Sequence, residues 1–112
     1  MEKQELEKLT RDYQMIQEQL QGLAMQKEQF NMQKIEQKEA LSEIEKATGK
    51  IFIALGGVLV ETSKEEAIAK LKERQESTDM RLSIIGRQHE EAVKKEKSMR
   101  DEITKALQGS KA

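Results

Sequence analysis

Apolar side chains recur at alternating steps of three and four residues through positions 1–48. They fall at Leu6, Leu9, Tyr13, Ile16, Leu20 and Leu23, then in phase at Phe30, Leu41 and Ile44. This spacing predicts an amphipathic helix with a heptad seam. Positions 6, 13, 20, 27, 34 and 41 form one row of the seam, and 9, 16, 23, 30, 37 and 44 the other. Polar residues take three of these slots, Lys27, Lys34 and Gln37. The pattern returns in the second half at Ile68, Leu71, Leu82, Ile85, Ala92, Met99, Ile103 and Ala106, with Gln75, Thr78, His89 and Glu96 as polar slots. Both seams are interrupted, so each helix needs the other.

Between the two seams the period changes. Ile51 to Val60 are all apolar or glycine, rich in β-branched residues, with Gly56-Gly57 at the centre. Glycine tolerates the positive φ of a tight two-residue turn. The segment predicts a β-hairpin with strands at 51–55 and 58–62. Ser63-Lys64-Glu65-Glu66 fits a capping box for the second helix: the Ser63 hydroxyl accepts from the Glu66 amide and the Glu66 carboxylate reaches back to the Ser63 amide. Gly49 is placed to close the first helix as a left-handed C′ residue. The chain thus reads as one domain over 1–112, with an N-terminal coil helix at 1–48, a hairpin at 50–62 and a C-terminal coil helix at 63–108.

Folding the chain back at Gly56 pairs positions whose numbers sum to 112. Ile44 then meets Ile68, Leu41 meets Leu71, Phe30 meets Leu82, Tyr13 meets Met99 and Leu9 meets Ile103. Gln37 faces Gln75 and Lys34 faces Thr78. The expected fold class is mainly α: a long antiparallel two-helix coiled coil joined by one β-hairpin. At 1.5 Å per residue each arm would extend roughly 65–70 Å.

Composition supports helices and removes most chemistry. Charged residues make up 37% and hydrophobic ones 36%, or about 41% with the 6 Gly added, against about 25% and 45–50% in ordinary domains, the latter counted with glycine. There is no Cys, Pro or Trp, so disulfides, cysteine metal sites and cysteine nucleophiles are excluded. The net charge is −1, which gives no electrostatic case for nucleic acid. No apolar run approaches the ~20 residues of a membrane span. The start, Met1-Glu2-Lys3-Gln4-Glu5, lacks the basic and apolar regions of a secretory signal. A cytoplasmic location is expected, with no nucleic-acid or membrane partner.

Candidate chemistry is sparse. Thr48-Gly49-Lys50 is followed by Ile51 and has Ile44 where a phosphate loop needs its first glycine. His89 is the single histidine and sits on the seam opposite Leu23. Carboxylates lie on solvated helix faces, without the pocket that acid–base catalysis requires. No catalytic, cofactor or metal site is expected, and the protein is not expected to be an enzyme. Met15, Met25, Met32 and Met80 fall off the seams, either as scattered surface residues or as a soft contact surface.

The hairpin carries the strongest functional signal. Ile51, Phe52, Ile53, Leu55, Val58, Leu59 and Val60 leave both faces apolar around Gly56 and Gly57. A lone hairpin is marginal and its edges invite pairing. One coil cannot cover two faces and two edges. The economical solution is pairing with hairpins of other subunits into an intersubunit β-barrel; a merely aggregation-prone end is the other reading.

The segment Phe52-Ile53-Ala54-Leu55-Gly56-Gly57-Val58-Leu59-Val60-Glu61, followed by Thr62-Ser63-Lys64-Glu65, resembles the hairpin signature of β-class prefoldin subunits. The run is closest to the eukaryotic second-subunit type, while length and termini look equally archaeal. Phe52 departs from the tyrosine common there, which keeps the packing and loses a hydroxyl. The resemblance implies an ATP-independent chaperone, a holdase and co-chaperone. It implies a hexamer of two α-class and four β-class subunits whose hairpins form a barrel platform. Its coiled-coil tips would capture unfolded proteins and pass them to a group II chaperonin. In this sequence the tips would be Leu6, Leu9, Tyr13, Met99, Ile103 and Leu107. A structural or adaptor coiled coil without client binding is the alternative. An RNA-binding helical arm is less suited, because residues 64–112 hold 12 basic against 10 acidic groups, a net of only +2.

Overall fold

The computed structural model describes residues 1–110 of the chain. Two long helices, α1 (Lys3–Lys46) and α2 (Lys64–Ser110), are joined by the strands β1 (Ile51–Leu55) and β2 (Val58–Thr62). The strands form a two-stranded antiparallel sheet, and its register pairs Ile51 with Thr62, Phe52 with Glu61, Ile53 with Val60, Ala54 with Leu59 and Leu55 with Val58. Gly56 and Gly57 make the turn at φ of 52° and 86°. Two successive positive φ angles are the signature of a type I′ turn, whose twist matches that of the flanking strands.

The chain divides into two compact units. One contains Met1–Lys27 and the chain from Ile84 onward; the other is Glu28–Ser83. In the first unit Ile16, Leu23, Ile85 and Ala92 are buried. In the second, Ala67, Leu71 and Thr78 are. Every seam position named above is buried or half-buried except Lys27, which is exposed. A lysine at this slot keeps its ammonium in water and contributes little to the seam.

The start of α2 is built as its capping sequence requires, with one substitution of partners. The Ser63 hydroxyl accepts from the Glu66 amide at 3.1 Å. The Ala67 amide donates to the Ser63 carbonyl at 3.0 Å, closing the first helical turn. The Glu66 carboxylate, expected at the Ser63 amide, instead accepts from the Thr62 hydroxyl at 3.0 Å. That hydroxyl sits at the last strand residue and reaches Glu66 four residues on.

The end of α1 departs further from expectation. Helix geometry stops at Lys46, and Ala47 donates to the Ile44 carbonyl at 3.2 Å in a tighter, 3₁₀-type turn. Gly49 does not adopt a positive φ; among the described residues only Gly56 and Gly57 do. The open carbonyls are capped by a side chain. The Lys64 ammonium donates to the Glu45 carbonyl at 2.7 Å and to the Ala47 carbonyl at 3.4 Å. A cation at the negative end of a helix dipole satisfies the acceptors that a left-handed glycine would have satisfied.

The pairing of polar slots is also corrected. Gln37 does not bond Gln75; its amide donates to the Thr78 hydroxyl at 3.0 Å. Lys34 pairs not with Thr78 but with Asp79, at 2.9 Å. A knob of an antiparallel coil sits between two residues of the facing helix, so Gln37 can address Thr78 as readily as Gln75. Thr78 is only 5% exposed, and its buried hydroxyl needs the partner more.

Candidate functional site: an exposed apolar hairpin and the helix ends

Side chains alternate along a strand, and directly paired residues share a face. The register therefore places Ile51, Ile53, Leu55, Val58, Val60 and Thr62 on one face, and Phe52, Ala54, Leu59 and Glu61 on the other. Burial follows this division only at the end of the hairpin next to the helices, since Leu55, Val58 and Val60 of the first face are exposed. Ile51, Ile53 and Thr62 are half-buried, and Phe52, Ala54, Leu59 and Glu61 are all exposed. The chain's own helices shield the base of the hairpin: Ile44, Ala67 and Leu71 line a cavity of about 200 Å³ with Ile51, Ile53 and also Phe52 of the other face, together with Lys70 and Arg74.

The rest of the hairpin lies open. Phe52 is 53% exposed, Leu55 49%, Val58 61%, Leu59 70% and Val60 43%. Contiguous exposed apolar side chains of this size mark an interaction surface. The two outer strand edges add unpaired backbone donors and acceptors. No backbone hydrogen bond from the outer edges of β1 or β2 reaches another element among the described residues.

At the other candidate site, in the first unit, Leu6, Leu9, Tyr13, Met99 and Ile103 are half-buried and Leu107 is 48% exposed. Met99, Leu9 and Tyr13 take part in separate grooves or contacts rather than one shared site. Met99 lines a groove of about 480 Å³ with Asp12, Met15 and Ile16. Leu9 lines a shallower one with Met1 and Glu102. Tyr13, expected opposite Met99, sends its hydroxyl to the Glu96 carboxylate at 2.7 Å. Glu96 also faces Arg100 at 3.7 Å, one turn along α2. The hydrogen bond to Glu96 holds the Tyr13 hydroxyl above its ordinary pKa; partial burial and the Glu96 charge act in the same direction, and Arg100 opposes them. Sequence reasoning missed this contact, because the seam pattern marks Tyr13 as apolar and Glu96 as an interruption.

Met15, Met25, Met32 and Met80 are 68%, 63%, 56% and 67% exposed, off the seams as their spacing requires. No helix of the described residues is long and apolar enough to cross a membrane.

Two long helices joined by a single two-stranded hairpin with an exposed apolar surface define the architecture. Residues 4–110 match the family model described as "Prefoldin subunit". The chain is 41% identical to the prefoldin subunit beta of Methanosarcina acetivorans over 101 residues, covering 88% of this chain and 86% of that one. It is 38% identical to the prefoldin subunit beta of Pyrococcus furiosus over 93 residues, covering 81% and 80%. The crystal structure of the prefoldin beta subunit from Thermococcus strain KS-1 superposes with a TM-score of 0.84 at 30% identity, over 92% of each chain. The chain belongs to the prefoldin family. Prefoldin subunits are subunits of a molecular chaperone, a chaperone family rather than an enzyme family, and they assemble with other prefoldin subunits.

Proposed function

We propose that this chain is a β-class subunit that enters a hexamer of two α-class and four β-class prefoldin subunits through its hairpin. The observation that carries the reading is the open hairpin: five large apolar side chains from Phe52 to Val60 between 43% and 70% exposed, on strands with free edges. Pairing edge to edge with neighbouring hairpins into a barrel satisfies the backbone groups and removes those side chains from water in one step.

The helix ends of the first unit serve capture. Leu6, Leu9, Tyr13, Met99, Ile103 and Leu107 offer apolar surface to non-native proteins in the cytoplasm. Several such ends acting on one client raise the effective concentration, so each contact can be weak and reversible. The cycle needs no ATP, and the client passes to a group II chaperonin.

Native mass measurement of the full chain with an α-class subunit tests assembly. The wild type should give the hexamer mass. Phe52→Asp or Val58→Asp should abolish it while the helical signal persists, because an unpaired carboxylate is costly in a covered sheet. A hexamer of normal mass from both variants would refute hairpin assembly. A chain that assembles but never suppresses client aggregation would be the structural coiled coil instead.

A further inference from the structure

Glu61 is the one charged side chain in the hairpin Ile51–Thr62. The register sets it directly opposite Phe52 and on the same face as Ala54 and Leu59. Phe52 and Leu59 are 53% and 70% exposed on that face, and Glu61 is exposed with them. Among the described residues the ion pairs are Lys34–Asp79 and Glu96–Arg100, so Glu61 has none.

In the free chain, water solvates this carboxylate. Once the face is covered, an ionised carboxylate between Phe52 and Leu59 loses that water. It is tolerated only if the covering surface brings a cation or several donors. The hairpin of an identical copy cannot supply a cation, since residues 51–62 contain no Lys or Arg. It would instead bring a second Glu61 onto the same apolar sheet. Within the chain, Lys64 is already engaged by the Glu45 and Ala47 carbonyls. Lys50 precedes β1, and Lys70 and Arg74 line a cavity with Phe52; all three are exposed, and none is ion-paired to Glu61.

We infer that the Phe52–Leu59–Glu61 face docks against a hairpin of a non-identical prefoldin subunit that presents a lysine or arginine side chain to Glu61. This rests on the reading of the hairpin as the assembly site. The apolar pair supplies the burial, and the charge pair supplies the choice of neighbour. A matched cation is accepted, whereas an identical hairpin, with no Lys or Arg between residues 51 and 62, is penalised. An arginine suits the position best, because its planar fork can meet both carboxylate oxygens.

The test uses the full chain mixed with the α-class prefoldin subunit of the same organism, followed by sedimentation velocity and native mass. Glu61→Lys should weaken hetero-assembly by about tenfold or more. Reversing the lysines and arginines of the α-class hairpins to Glu, one at a time, should identify one change that restores assembly of Glu61→Lys and weakens that of the wild type. Phe52→Asp and Lys50→Met complete the set. The inference is overturned if Glu61→Lys assembles like wild type while Phe52→Asp does not, or if no reversal restores it. It is equally overturned if Lys50→Met weakens assembly as much as Glu61→Lys, which would place the compensating cation in this chain or an identical copy. If Phe52→Asp itself assembles normally, the hairpin reading falls first and this inference with it.

Discussion

The Lys64 ammonium closes the end of α1 by donating to the Glu45 carbonyl at 2.7 Å, although Lys64 is the first residue of α2. One side chain therefore ties the last turn of the first helix to the first turn of the second, on either side of the hairpin. The contact fixes where β1 leaves α1 and β2 enters α2. Lys64→Met keeps the alkyl stem and removes the donor. It should lower stability by about 0.5–1.5 kcal/mol in urea melts, the usual net value of a hydrogen bond. Lys64→Arg, which can still donate, should retain most of it. Equal losses for both variants would show that the ammonium does not act as a cap.

Gln37 and Thr78 form a polar layer inside the second unit, at 3.0 Å, and the Gln37 side-chain oxygen is buried without a hydrogen-bond partner. The layer is under-satisfied, so it stabilises less than an apolar one would. Thr78→Val removes the acceptor and leaves the amide stranded. It should cost about 1–3 kcal/mol. Gln37→Leu combined with Thr78→Val should recover that loss or exceed the wild type, since buried polar pairs often yield to well-packed apolar ones. A double mutant no more stable than Thr78→Val alone would show that the pair was not coupled.

The difference between these two contacts and the hairpin explains what could be read from the chain. The strands, the Gly56-Gly57 turn and the Ser63 cap depend on residues within a few positions of one another, so local pattern determines them. The seam positions follow from period alone, and even the exposed slot is a lysine. The Lys64 cap joins residues 19 apart, and the Gln37–Thr78 bond joins residues 41 apart. Their partners depend on how one helix is staggered against another by a fraction of a turn. Counting positions fixes that stagger only to the nearest layer. The face of Glu61 was implicit in the period of two, but its neighbours Phe52 and Leu59 became exposed companions only once strand register and burial were known.

Tyr13 and Glu96 make stability in the first unit depend on alkaline pH. The tyrosine pKa is raised in the folded chain above its ordinary value of about 10. The folded state thus holds the phenolic proton more tightly than the unfolded state does. Stability from this contact is fully present below pH of about 10 and is lost as pH rises through the folded pKa. Tyr13→Phe should melt at lower temperature than wild type at neutral pH. The gap should narrow above the ordinary tyrosine value, because the wild type alone loses a contact there. Absorbance titration of the single tyrosine should give a midpoint above that of a free tyrosine. A gap independent of pH up to complete ionisation would show that Glu96 does not hold the phenol.

The helix ends of the first unit decide whether assembly and client capture are separate properties. Leu107 is 48% exposed, Leu6, Leu9 and Ile103 are half-buried, and Leu6 and Leu9 line shallow grooves. Residues near helix ends have seam neighbours on one side only, so opening them costs less than opening the middle. An unfolded client can then replace the missing neighbours with its own apolar side chains. Leu6→Ser, Leu9→Ser, Ile103→Ser and Leu107→Ser together remove that surface and leave Phe52 to Glu61 untouched. Hexamers containing the quadruple variant should form at the normal mass by sedimentation. Their suppression of light scattering by a denatured model protein should fall sharply at equal hexamer concentration. The off-seam methionines provide the comparison: Met25, Met32 and Met80 changed to Gln should leave protection near wild type. If the methionine variant loses protection and the quadruple variant keeps it, clients bind along the outer helix faces rather than at the ends.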